Sequence, residues 1–212
     1  MRGLPPERWL LPLLVACVLG LQGCGLALIG AAGSAAFSIA EDRRTSGLQL
    51  ADETSQLRVR SRIADRFGDR SHVSVTVFNR MALLTGEAPD ETTRDEMSKI
   101  ALGVPDIRAV TNEVQIAGVS TAASRLSDEV VTSKLKARLI DSGKVSPVHV
   151  KVVTEAGVVY LLGMVTQTEA ENAVAVARTT GGVKKVVKVF EYCDDRNETC
   201  RADAKSAPAR PE

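Results

Sequence analysis

Histidine is nearly absent from this 212-residue chain, which holds only His72 and His149. Neither has an Asp/Cys/His cluster beside it in sequence, so there is no ligand set for a metal and no base with an orienting partner. The chain also lacks a Ser-His-Asp order, an HExxH motif and a phosphate-cradling glycine loop; Gly25, Gly30 and Gly33 stand in an Ala/Ser-rich stretch and not at a strand-to-helix turn. The sequence therefore gives no catalytic residue, no metal site and no cofactor, and an enzyme is the class it supports least. Charge of one sign is missing too. Lys and Arg number 27 against 26 Asp and Glu, a net charge of +1. A nucleic-acid binder carries a strong basic excess, so nucleic acid drops out as a partner, and any attraction to an anionic surface must come from a local patch. The two histidines fall at matching places in a repeat described below, and their alternation with valines predicts that they face solvent or a domain interface.

Cysteine is scarce, and the four residues separate by position. Cys17 lies in an apolar run and Cys24 ends it. Cys193 and Cys200 follow the repeated part, and in an oxidising compartment they could close a small disulfide loop. Free thiols remain the alternative, and a metal site would need more ligands than the intervening residues supply.

What the N-terminus has is one long uncharged stretch. No charged residue occurs between Arg8 and Glu41. A basic start (Arg2, Arg8), an apolar run from Trp9 to Leu21 and a small-residue ending read as a secretory signal peptide over residues 1–23. Its ending, Leu21-Gln22-Gly23-Cys24, resembles a bacterial lipobox, which implies that Cys24 becomes the lipidated first residue. An uncleaved membrane helix of about 20 residues is the competing reading, and a released protein a third. Residues from Gly25 to Ala40 are rich in Gly, Ala and Ser, which fits a tether in residues 24–47 better than the second half of a membrane span.

The rest is a repeat with an offset of about 76 residues. Asp52-Glu53 and Asp128-Glu129 are each expected to open a helix, with Val59, Ile63 and Phe67 on one face of the first and Val131, Leu135 and Leu139 on one face of the second. Alternating strands follow at Val73–Val77 and Val148–Val152, then a turn and a second strand ending in Gly86 or Gly163. The second turn contains Ala156-Gly157; Asn79-Arg80 replaces it in the first copy, so that turn must rely on Asn79 or differ in length. A second helix comes next, capped by Asp90 in one copy and by the capping box Thr166-Gln167-Thr168-Glu169 in the other, and a third strand closes each unit. The fold class is α+β: two αββαβ units at 48–118 and 124–192, each a three-stranded mixed sheet on two helices, with a polar extension at 193–212.

The αββαβ order, the strand-end Gly86 and Gly163, and the Gly103-Val104…Val110-Thr111-Asn112 ending resemble the BON domain. A lipobox, a tether and two such units in tandem resemble the dual-BON outer-membrane lipoproteins. That resemblance implies a non-enzymatic envelope protein, lipid-anchored at Cys24 in the outer membrane, facing the periplasm and bound to anionic phospholipid. Gly25 is not the Asp that resembles an inner-membrane retention signal. In the family the second domain contacts lipid chiefly through its first helix, here near Ser127 to Ile140, which carries Lys134, Lys136 and Arg138. Val130 stands where the family pattern has an aromatic anchor, and valine inserts less well at an interface. An adaptor that contacts outer-membrane assembly or division proteins is the alternative. Arg58, Arg60, Arg62 and Arg66 on the first unit's helix read as a solvated face or as a second contact surface.

Overall fold

The computed structural model describes residues 42–193, which belong to one compact unit. The expected signal segment, Cys24 and the tether before Asp42, and Cys200 with the rest of the C-terminal extension, lie outside the described residues.

The first unit runs α1 (Ser46–Phe67), β1 (His72–Phe78), β2 (Met81–Ala88), α2 (Glu91–Leu102), β3 (Ala109–Asn112) and a short β4 (Gln115–Ile116). The second runs α3 (Ala122–Ser142), β5 (Val150–Glu155), β6 (Val158–Val165), α4 (Gln167–Arg178) and β7 (Lys185–Tyr192). In each sheet a hairpin is antiparallel and the last strand returns parallel to its middle strand, because α2 or α4 carries the chain back across the sheet. The first sheet has four strands where three were expected: after β3 the chain pairs once more with β2, as β4.

The two first helices begin earlier than expected. Thr45 and Thr121 are the N-caps, each hydroxyl accepting from the backbone N–H three residues on. Asp52 and Asp128 therefore sit a turn and a half inside their helices, and both are buried. Their carboxylates are spent on the hairpin turns. Asp52 accepts from the backbone N–H of Asn79 (2.7 Å) and Arg80 (2.8 Å). Asp128 accepts from Ala156 and Gly157, both at 2.8 Å. Both turns have two central residues with positive φ, 49° and 63° at Asn79-Arg80 and 52° and 79° at Ala156-Gly157. The first turn thus has the same length as the second, and the aspartate from the helix holds its strained backbone in place.

Gly86 and Gly163 are required where the hairpin strands approach most closely. A Cβ on Gly86 would lie 2.0 Å from the carbonyl oxygen of His72, and one on Gly163 would lie 2.2 Å from that of His149. The histidines are thus equivalent in backbone position, but β5 begins at Val150, and His149 lies in the turn before it.

Alternate residues along the middle strands separate three apolar clusters. Ala82 and Leu84 pack with Val59, Ile63, Met97 and Ala101 from the helices of the first unit. Val159 and Leu161 pack with Val131, Leu135, Leu139, Ala170, Ala173 and Ala177 of the second. Leu83 turns the other way, and with Phe78 it meets Tyr160, Leu162 and Val189. Two helix-backed sheets are thus joined through their opposite faces. Polar contacts close the same junction: Glu191 of β7 accepts from the Asn79 amide and pairs with Arg108, both in the first unit.

Candidate functional site

On α3 the buried positions are Asp128, Val131, Thr132, Leu135 and Leu139. At 100° per residue the opposite face carries Leu126, Val130, Ser133, Ala137 and Ile140. All five are exposed, and three are large and apolar: Leu126 is 67% exposed, Val130 51% and Ile140 49%. Lys134 borders this stripe, is exposed, and makes no hydrogen bond or ion pair among the described residues. The arrangement is an apolar ridge with a long cation at its edge, which lets the stem lie on an apolar surface while the ammonium reaches polar groups.

The other expected lipid contacts are placed differently. Arg138 donates to the hydroxyls of Thr180 (2.9 Å) and Thr179 (3.0 Å) at the C-terminal end of α4. Its guanidinium is therefore committed to holding α3 against α4, where the helix dipole favours a cation. Arg62 does the same in the first unit, donating to the Gly103 carbonyl (3.0 Å) just past α2. Lys136 lies on the far edge of the stripe and lines a cleft between the two units, together with His72, Thr76, Arg125, Glu129 and Glu155. The cleft has a volume of about 290 Å³. The sequence pattern singled out Val130 and Lys134 but not Leu126 or Ile140, which share the exposed face with Val130. The signal was available: both are large apolar residues that fall off the Val131–Leu135–Leu139 stripe.

At the floor of the cleft Glu155 is pushed up to about 7, mainly by burial and further by the nearby Glu87 and Asp128 carboxylates. Thr85 donates to it and offsets part of that rise. Glu169 goes the other way. Burial alone would raise it, but hydrogen bonds from His149, Arg43 and the Thr166 backbone hold it at about 2. His149 is correspondingly not a solvent-facing residue; its side chain is 11% exposed and its Nδ1 lies 3.0 Å from Glu169. This pair and Arg43 form a structural knot at the capping box of α4. No group of three or more potential metal ligands occurs among the described residues, and no helix among them is long and apolar enough to cross a membrane. Cys193, the last described residue, is a disulfide cysteine.

Comparison with known proteins agrees with this architecture. The BON domain family matches residues 51–118 and again residues 127–194. The chain is 35% identical over 186 residues to outer membrane lipoprotein DolP of Haemophilus influenzae, covering 87% of this chain and 96% of that protein. It is 30% identical to a 21 kDa hemolysin of Actinobacillus pleuropneumoniae, over 71% of this chain and 79% of the relative. Against osmotically-inducible protein Y of Escherichia coli the identity is 28%, over 64% of this chain and 69% of the relative. With two matched copies, and with similarity to DolP along nearly its whole length, the chain belongs to the BON-domain family as a DolP-like dual-BON protein.

Proposed function

We propose that this chain is a non-enzymatic outer-membrane lipoprotein, anchored through Cys24 and facing the periplasm, which binds anionic phospholipid through α3 and supports the integrity of the envelope. The observation that carries the reading is the exposed ridge of Leu126, Val130 and Ile140 with Lys134 at its edge. Burying a large aliphatic side chain contributes about 1.5–3 kcal/mol, and a cation close to an anionic leaflet adds about 1 kcal/mol. A ridge of this kind therefore gives a reversible contact, which a covalent lipid at Cys24 would make lasting, since stable anchoring takes two signals. The similarity to a protein named as an outer-membrane lipoprotein supports the location. Lys136 and Arg138 play secondary parts, one at the cleft and one as an internal clamp. A Cys193–Cys200 disulfide would close the start of the C-terminal extension.

The test is sedimentation of residues 42–193 with vesicles of phosphatidylcholine, with and without phosphatidylglycerol. Leu126→Ser combined with Val130→Ser is expected to weaken binding to the anionic vesicles by about tenfold or more, with the far-ultraviolet circular dichroism unchanged. Unaltered sedimentation of the folded double variant would sink the assignment of α3. Palmitate labelling of the whole chain, lost in Cys24→Ala, checks the anchor.

A further inference from the structure

The repeat extends to the outward face of the helices, which no packing requirement explains. At the 76-residue offset Leu50 matches Leu126, Glu53 matches Glu129, Arg58 matches Lys134, Arg60 matches Lys136 and Asp65 matches Asp141. On α1, as on α3, the face opposite the core carries exposed large apolar residues: Leu50 is 70% exposed and Leu57 57% exposed. Arg58 and Arg60 flank this face on its two sides, both exposed and neither with a hydrogen bond or ion pair among the described residues. Arg62 and Arg66 are different, being held by the Gly103 carbonyl and by Glu96. Beside Leu50 and Arg58 the surface dips into a recess of about 280 Å³ against the Asp106 turn. Asp106, Glu53 and Asp65 are the carboxylates on this side.

We infer that α1 is a second contact surface for an anionic bilayer, and that it differs in kind from α3. Its stripe is poorer in apolar groups, with Thr54 where α3 has Val130 and Ala64 where α3 has Ile140, but its two flanking cations are arginines. A guanidinium engages a phosphodiester through two parallel N–H donors, which an ammonium does not. The α1 contact is therefore mainly electrostatic, resting on headgroup phosphates, with Leu50 and Leu57 reaching the interface beneath them. The occupant is a lipid surface because the exposed leucines Leu50 and Leu57 lie between two cations that have no partner among the described residues, a charge complement to anionic headgroups. Chain order favours it as well: α1 is the first described helix after Cys24, and the 18 residues from 24 to 42 span at most about 65 Å when fully extended. This inference rests on the proposed anchoring at Cys24 and on the residues of α1, and it survives if α3 proves not to bind lipid.

The test places a reporter on each stripe of the full-length chain. The only tryptophan of the sequence is Trp9, so Leu57→Trp and Leu126→Trp are made separately in a Trp9→Phe background. Each protein is reconstituted into phosphatidylcholine vesicles, with or without phosphatidylglycerol as a quarter of the lipid. The Leu57→Trp emission is expected to shift to the blue only where phosphatidylglycerol is present. It should return to the red in about 1 M NaCl, where the screening length falls to about 3 Å, and be lost when Arg58→Glu and Arg60→Glu are added. A folded Leu57→Trp protein whose emission is the same in both vesicles overturns the inference. So does a shift that persists with both arginines reversed. A blue shift at Leu57→Trp with none at Leu126→Trp upholds α1 and removes the α3 assignment, while the converse removes α1 and leaves α3 standing.

Discussion

The two halves of the protein share a plan down to single side chains and part company on their surfaces. Asp52 and Asp128 each clasp a two-residue turn, Arg62 and Arg138 each tie the first helix of a unit to the end of its second, and Gly86 and Gly163 each admit the same carbonyl. These are the positions that the fold itself requires. The outward faces keep a leucine and the charge pattern in common but differ at Thr54 against Val130 and Ala64 against Ile140, and inside the junction Phe78 under Arg44 in one hairpin stands against Glu155 at the matching place in the other. The repeat keeps the frame and the outline of the outward faces, and single exchanges shift their balance, with arginines as the cations on α1 and more apolar residues on α3.

The sharpest way to break the comparison is at the aspartates. Asp52→Ala strands two backbone donors and takes from the Arg44 guanidinium one of its two carboxylate partners (Asp52 accepts at 2.9 Å, and Asp42 remains at 2.8 Å), and is expected to cost about 3–4 kcal/mol in urea unfolding. Asp128→Ala strands two donors and no arginine, so the loss should be smaller, about 2–3 kcal/mol. Equal losses would mean that the Arg44 pair contributes nothing. The glycines come next. Gly86→Ala meets the His72 carbonyl and also forces alanine to a φ of 114°, for about 3 kcal/mol. Gly163→Ala meets its carbonyl without a positive φ, for about 2 kcal/mol. Thermal melts of the two variants check the order.

A smaller effect separates Glu155 from its apolar counterpart Phe78. The carboxyl of Glu155 is raised to about 7 in the folded protein, above an unfolded value near 4.3. The native state therefore keeps a proton that the unfolded chain has shed between those values. The stability this contributes is present at the acid end and is lost as pH rises through about 7. Glu155→Gln should flatten that decline and raise stability at pH 8 by about 1–2 kcal/mol, measured by urea titration at both ends of the range. The smallest change expected is in membrane affinity. Val130→Trp should tighten binding to anionic vesicles a few-fold, and Thr54→Trp at the matching site of α1 should do less, because fewer apolar neighbours accompany it. A larger gain at Thr54 would reverse the ranking of the two stripes.

The core was legible from spacing. Val59, Ile63 and Phe67, and Val131, Leu135 and Leu139, are all buried as their four-residue period requires. The helix starts were not legible, because Asp-Glu is ordinarily the mark of a first turn. Here its aspartate is matched to a turn that lies 27 residues on along the chain in one unit and 28 in the other. Partners at such separations leave no local signature, and the same holds for Arg138 and Thr180 or His149 and Glu169. On the outward face the family pattern drew attention to Val130 and the basic residues, while Leu126 and Ile140 stood in plain view as apolar residues off the buried stripe.

Arg43 precedes α1, yet its guanidinium is locked onto the Met164 carbonyl and Glu169, more than 120 residues away in the second unit. Tension entering from the N-terminal side of the chain therefore reaches the second unit before it can unwind α1. The pull is shared as shear across the junction of the two sheets, a geometry in which several contacts must give way together. Arg43→Ala would turn that shear into unzipping of α1 from its first turn, and single-molecule pulling from the N-terminus should record rupture at a lower force.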